Sequence, residues 1–278
     1  MDELREMTIE EVRRTQIAIL DGIDAFCAQN GIRYFITAGT LIGALRHKGY
    51  IPWDDDIDLV MLRPDYDKMV RSFNEGRSDR LRLLCHENTA RFPYAFAKVS
   101  DEGTLFIEDE SKKHLAPVGV NVDIFPLDSV TDDYEDAVRL MRRTKKYTRI
   151  VELKNVVRTK KRSPLKTAAL AVMQAGAGLF SYRWCFRKIE KIARTYEGNT
   201  DSKYIANAVI HAKEEREILE RAWFADTVDL PFEDKQYKAP VGYDAYMRRL
   251  FGDYMTPPPK DKQITHHSFK AYRKENDK

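Results

Sequence analysis

The chain has 278 residues, 43% hydrophobic and 33% charged, enough for one large domain or two small ones and globular in balance. Its formal net charge of +3 is too weak a basic bias for a nucleic-acid binder, so no nucleic-acid partner is expected. Three scattered cysteines, Cys27, Cys85 and Cys185, suggest neither a disulfide framework nor a zinc site and point to a reducing cytoplasm.

The first residues (MDELREMTIEEVRR) are charged and lack the apolar core of a signal peptide. Apolar positions at Ile9, Val12, Ile17, Leu20, Ile23 and Phe26 predict an amphipathic helix over 8–29. Thr8 and Glu11 stand at capping-box spacing, and Asn30-Gly31 stops the helix. Residues 32–37 read as a strand, 40–47 as a short helix, 49–52 as a loop, 57–62 as a second strand and 65–73 as a helix. Short strands are expected at 95–99 and 104–108 and a stronger one at 118–125, with helix from 132 onward.

Between 139 and 166 the composition shifts to twelve Lys or Arg against one acid, Glu152. An uncharged stretch, 167–182, follows; its 16 residues fall short of the roughly 20 that span a bilayer. A helical segment covers 184–196, and Pro231, Pro240 and the run 257–259 punctuate the rest. A boundary near 130–140 would divide an α/β catalytic core, 1–135, from a mostly helical acceptor or lid region, 136–278.

The chemistry concentrates between 39 and 61. Gly39-Thr40 opens a helical pattern; Gly39 lets the backbone approach a phosphate, and Thr40 can offer its hydroxyl and amide there or serve as a plain N-cap. Asp54-Asp-Asp-Ile-Asp58 then enters a strand. Alternation puts Asp56 and Asp58 on one face, about 7 Å apart, where they can bracket a hard cation or mark only a solvated turn. In 118–125, Val118, Val120, Val122 and Ile124 share one face, and Asp123 lies opposite with Asn121 and Phe125. A carboxylate on an apolar strand is costly unless paired or metal-bound, so Asp123 is the expected third ligand. Such a triad could hold two metals and take a proton from an attacking hydroxyl.

Arg46, His47 and Lys48 suit phosphate contact or a solvated helix end. Lys98 could neutralise a diphosphate or snorkel at the surface; Trp53 could stack on a base or pack. His266 and His267 could touch donor or acceptor, or be surface features. The basic run beside 167–182 is a solvated face or a peripheral contact with the inner leaflet of a membrane.

Gly39-Thr40, Asp56-Ile-Asp58 and Val122-Asp123-Ile124 resemble the signature of the nucleotidyltransferase superfamily. The wording from Ala38 to Asp58 is more specific and resembles the LicD family of phosphotransferases, related to the fukutin-related proteins. So do Phe92-Pro-Tyr-Ala-Phe-Ala-Lys-Val99, Val122-Asp-Ile-Phe-Pro-Leu-Asp128, Tyr237-Lys-Ala-Pro-Val-Gly-Tyr-Asp244 and Phe251-Gly-Asp-Tyr-Met-Thr-Pro-Pro258. The resemblance spans roughly 10–270. It implies an α/β (α+β) fold, a nucleotidyltransferase-like mixed sheet flanked by helices. It implies transfer of a phosphoryl-alcohol group such as phosphocholine from a CDP-linked donor to a glycan or lipid-linked glycan, with release of CMP. It implies Mg²⁺ or Mn²⁺, as two ions, on Asp56, Asp58 and Asp123, with Asp54 in support. The alternatives are nucleotidyl (adenylyl-type) transfer onto a small molecule and a non-catalytic glycan- or membrane-binding protein.

Overall fold

The computed structural model describes residues 4–77, 79–107, 115–156, 163–210, 213–265 and 269–275. Strand β1 (Leu4–Glu6) leads into helix α1 (Ile9–Asn30), which starts on the expected capping box between Thr8 and Glu11 and ends at Gly31. Gly31 adopts φ 58°, the left-handed conformation that glycine takes without penalty. Val12, Gln16, Ile19, Leu20, Ile23 and Cys27 form the buried stripe that seats α1 on the sheet.

The main sheet runs β2 (Phe35–Ile36), β3 (Asp58–Leu62), β7 (Asn121–Ser129), β5 (Ala97–Asp101), β4 (Leu81–Leu84) in spatial order. Only the β3–β7 pair is parallel. Leu59, Val60, Met61 and Leu62 are all buried, the near-continuous apolar run of a strand covered on both faces. Helix α2 (Ala38–Arg46) joins β2 to the acidic loop, and α3 (Arg63–Ser72) follows β3 directly. Helix α2 begins two residues before the expected 40, with Thr37 as N-cap, so Gly39 and Thr40 lie within its first turn. The strand expected over 32–37 contracts to two residues, and that expected over 118–125 shifts forward to Asn121–Ser129, Val118 making only a bridge to Phe106.

Beyond β7, α4 (Tyr134–Asn155), α5 (Pro164–Gly178) and α6 (Tyr182–Ala193) form a helical layer. The chain then returns to the sheets. β8 (Tyr204–Ala206) pairs with the end of β7, and β9 (Ile218–Glu220) with β8. β10 (Thr227–Phe232) and β11 (Lys235–Pro240) form a hairpin; after α7 (Tyr243–Phe251), β12 (Lys270–Lys274) inserts between β1 and β6 (Thr104–Ile107). These five later strands go beyond the elements expected from the sequence.

A buried ion pair joins the layers. Arg63 at the start of α3 donates from Nε and Nη2 to the two carboxylate oxygens of Asp128 in β7, at 2.6 and 3.0 Å, both side chains buried. Asp67 in turn receives both Nη atoms of Arg194, which follows α6. No helix among the described residues is long and apolar enough to cross a membrane.

Candidate active site

The loop between α2 and β3 has no regular structure and is held from outside. Arg13 of α1 donates to the carbonyls of Pro52 and Asp54 at 3.0 and 2.6 Å, and Gln16 Nε2 donates to the Asp55 carbonyl at 2.9 Å. Tyr50 Oη donates to Gln16 Oε1, while the Tyr50 amide donates to Glu233 Oε1 at the tip of the β10–β11 hairpin. A Cβ on Gly49 would stand 2.3 Å from that same oxygen, so a larger residue there would displace the Glu233 carboxylate from the Tyr50 amide.

The mooring presents a row of acids. Asp54, Asp55 and Asp56 each bring a carboxylate oxygen within 4.8 Å of the others. One residue pair further on, Asp58 in β3 stands opposite Asp123 in β7, and Asp123 stands opposite Lys98 in β5. Lys98 Nζ donates to Asp123 Oδ1 at 2.6 Å and to Asn121 Oδ1 at 3.1 Å. Burial, then the charges of Asp56, Asp123 and Asp54, raise the Asp58 carboxyl well above the usual carboxylate range, against the opposing charge of Lys98.

The start of α2 faces these acids. Its first intrahelical bond runs from Leu41 N–H to the Thr37 carbonyl, so the amides of Ala38, Gly39 and Thr40 precede the helical ladder. Ala38 sits at φ 46°, a left-handed conformation unusual for a residue with a Cβ and costly by about 1–2 kcal/mol. A Cβ on Gly39 would come within 2.2 Å of Asp54 Oδ2, so glycine is what lets the helix start approach the acids. Thr40 turns inward: its Oγ1 accepts the Asp58 amide at 2.9 Å, tying α2 to β3.

Ala38, Gly39, Asp54, Asp56 and Asp58 line a cavity of 290 Å³. Its opposite wall comes from the second half of the chain: Asn207, Lys213, Glu217, Tyr246 and Phe251. Thr37 Oγ1 and Tyr246 Oη share a hydrogen bond of 2.5 Å across the two halves. Burial pushes the Glu217 carboxyl up to about 7 and raises the Tyr246 phenol. Apart from Phe251, which opens one of the family-like runs, this second wall was not marked by the sequence. Glu217 closes the run Glu214-Glu-Arg-Glu217, which reads as solvated charge; only burial singles out its last member.

Arg46, His47 and Lys48 stand at the far end of α2 and do not line this cavity. Arg46 donates to the Tyr254 carbonyl, and His47 and Lys48 are exposed. Trp53 packs partly buried on the core, its ring edge-on to His47 at 6.4 Å. His266 and His267 lie outside the described residues.

The donor set is made of carboxylate oxygens alone, which suits a hard divalent cation, and the bare Gly39 backbone leaves room beside it. A carboxylate cluster against a helix start on a mixed sheet defines a class, the nucleotidyltransferase domain, and the family model described as LicD/FKTN/FKRP, nucleotidyltransferase domain, matches residues 31–177. The chain belongs to this LicD family and is a transferase of the LicD type. Over 274 residues it is 29% identical to the lipopolysaccharide cholinephosphotransferase LicD of Haemophilus influenzae, covering 97% of this chain and 99% of that one. An uncharacterized protein of Rickettsia typhi is 51% identical over 89 residues, 30% of this chain and 28% of its own.

Proposed function

We propose that the chain transfers a phosphoryl-alcohol group, phosphocholine-like, from a CDP-linked donor to a hydroxyl of a lipopolysaccharide-type glycan or its lipid-linked precursor, releasing CMP. The observation that carries this reading is the row Asp58–Asp123–Lys98 across three adjacent strands, with Asp58 lining one cavity together with the start of α2, in a chain similar along its whole length to a cholinephosphotransferase. Asp56, Asp58 and Asp123, with Asp54 beside them, would hold Mg²⁺ or Mn²⁺, as two ions, which would neutralise charge on the leaving phosphate and lower the acceptor hydroxyl's pKa.

The residues supply the rest. The first-turn amides of α2 and the Lys213 ammonium bind the diphosphate. The acceptor oxygen attacks the phosphorus that carries the alcohol and forms a new P–O bond. The bond from that phosphorus to the bridging oxygen breaks, and CMP leaves with the oxygen and its electron pair. The hydroxyl proton passes to the Asp123 carboxylate, which Lys98 holds in place.

Asp58→Asn tests the reading. CMP release from CDP-linked donors should fall by roughly a thousandfold or more, the scale of lost transition-state charge stabilisation. The melting temperature should hold or rise, because a carboxylate crowded by three others is removed. Retained turnover would exclude the assignment, and a product carrying the nucleotide itself would point to nucleotidyl transfer.

A lipid-linked acceptor also accounts for the α5 layer. Of the described side chains of α5, only Leu170 and Ala177 are buried, while Leu165 and Val172 are 81% and 74% exposed. Leu179, Phe180 and Trp184 continue the apolar surface, fringed by exposed Lys166, Arg183, Arg187 and Lys188. An apolar ridge with a cationic margin is what an anionic leaflet attracts, and it supports a reading in which the enzyme works at the inner face of the membrane.

A further inference from the structure

A second cavity, of 340 Å³, adjoins the acid-lined one. Ile210 lines both, and the Phe96–Phe125 ring pair, with centroids 4.4 Å apart, stands between them, Phe125 on the acid side and Phe96 on the other. The volume sits at the lower end of the roughly 300–1,000 Å³ of small-molecule sites. Its walls are aromatic and aliphatic: Tyr94, Phe96, Phe186, Val151, Val209.

Its polar lining is sparse and largely engaged. Thr148 Oγ1 donates to the Thr144 carbonyl, and Asn155 Oδ1 accepts from Tyr182 Oη. The remaining carboxylate is Glu152, the single acid among twelve cations between 139 and 166, and its exposed side chain stands on the rim of this cavity. A polyol would leave hydroxyls without partners here, at a cost for each. A cation with no hydrogen-bond donors needs no partners and is attracted by ring faces and by a nearby carboxylate. The rings already show this property: Lys98 Nζ lies 4.6 Å from the Tyr94 centroid and 5.5 Å from that of Phe96, its own charge matched by Asp123.

We propose that this cavity receives the quaternary-ammonium end of the transferred alcohol, with Tyr94 and Phe96 as its aromatic wall and Glu152 as its counter-charge. The proposal rests on the donor reading above: the diphosphate occupies the acid-lined cavity and the head group passes Ile210 into the second one.

The test uses phosphocholine and its uncharged isostere 3,3-dimethylbutyl phosphate, each titrated calorimetrically into the full chain. Phosphocholine should bind roughly three- to thirty-fold more tightly, the range of a desolvated cation–π contact. Glu152→Gln and Phe96→Leu should each bring that ratio toward one; Glu152 is exposed, so its variant leaves the fold intact. Equal binding of the two probes, no saturable binding of phosphocholine, or a ratio unchanged in both variants overturns the pocket. Failure to transfer from any CDP-linked donor, with the ratio intact, overturns the reaction reading and leaves the pocket standing.

Discussion

Glu217 carries the clearest pH signature of any single residue. Burial lifts its carboxyl from 4.5 to about 7, so between those values the folded chain keeps a proton that the unfolded chain has lost. Stability therefore falls as pH rises through that window and levels off above it. Glu217→Gln should be more stable than the parent at pH 8, by of order 3 kcal/mol, and the gap should close near pH 4.5. Urea unfolding at the two pH values, with chelator present, checks this; a stabilisation that does not change with pH would contradict it. Residue by residue, legibility followed local chemistry. Asp58 and Asp123 could be picked out because acids on apolar strands are conspicuous, and β3 and β7 set them side by side, whereas Asp56 falls in the loop before β3. Lys98 could be named but not its partner, since its bond to Asp123 depends on which strands are neighbours. Glu217 and Tyr246 could not be named, because their surroundings arise from segments far apart in the chain.

At the level of elements, β7 shows why boundaries slipped. Pro126 and Asp128 read as the end of a strand, yet the strand continues to Ser129. The Asp123 amide donates to the Ile57 carbonyl, just before β3, so the amides at 124, 126 and 128 face the other way. On that side β5 pairs no further than Ile124 and β8 begins at Asp128, so Pro126 falls in the gap, where a missing N–H costs no ladder bond. Asp128 is tolerated because Arg63 meets it in a two-bond fork. Asp128→Ala would leave the buried guanidinium without its main partner, and the loss should be about 3–5 kcal/mol. The double variant Arg63→Met/Asp128→Leu should recover most of it. Denaturant midpoints of the three proteins decide; a single variant as stable as the parent would mean that the pair does not hold α3 to the sheet. The later strands escaped detection for a different reason: β12 reads Lys-Ala-Tyr-Arg-Lys, and β10, though Val228, Leu230 and Phe232 alternate with Thr227, Asp229 and Pro231, carries a proline that counts against a strand.

For the molecule as a whole, the basic face and the α5 ridge predict how it partitions. With vesicles containing phosphatidylglycerol it should float at low salt and be released as salt rises, and Leu165→Glu with Val172→Glu should abolish flotation. Equal recovery on neutral phosphatidylcholine vesicles, or none on either, would remove the membrane surface from the account. The acidic loop carries a second consequence. The stretch that comparison recognises, 31–177, contains Asp54, Asp55, Asp56, Asp58 and Asp123, but several of the groups that hold the acidic loop and the start of α2 lie outside it. Arg13 and Gln16 precede it, and Glu233 and Tyr246 come after. The segment that is most readily identified is therefore not a portable one. Grafted onto another scaffold or exchanged between relatives, it would bring the chemical groups without the frame that aims them. Chimaeras should be cut so that α1, the β10–β11 hairpin and α7 travel together with it.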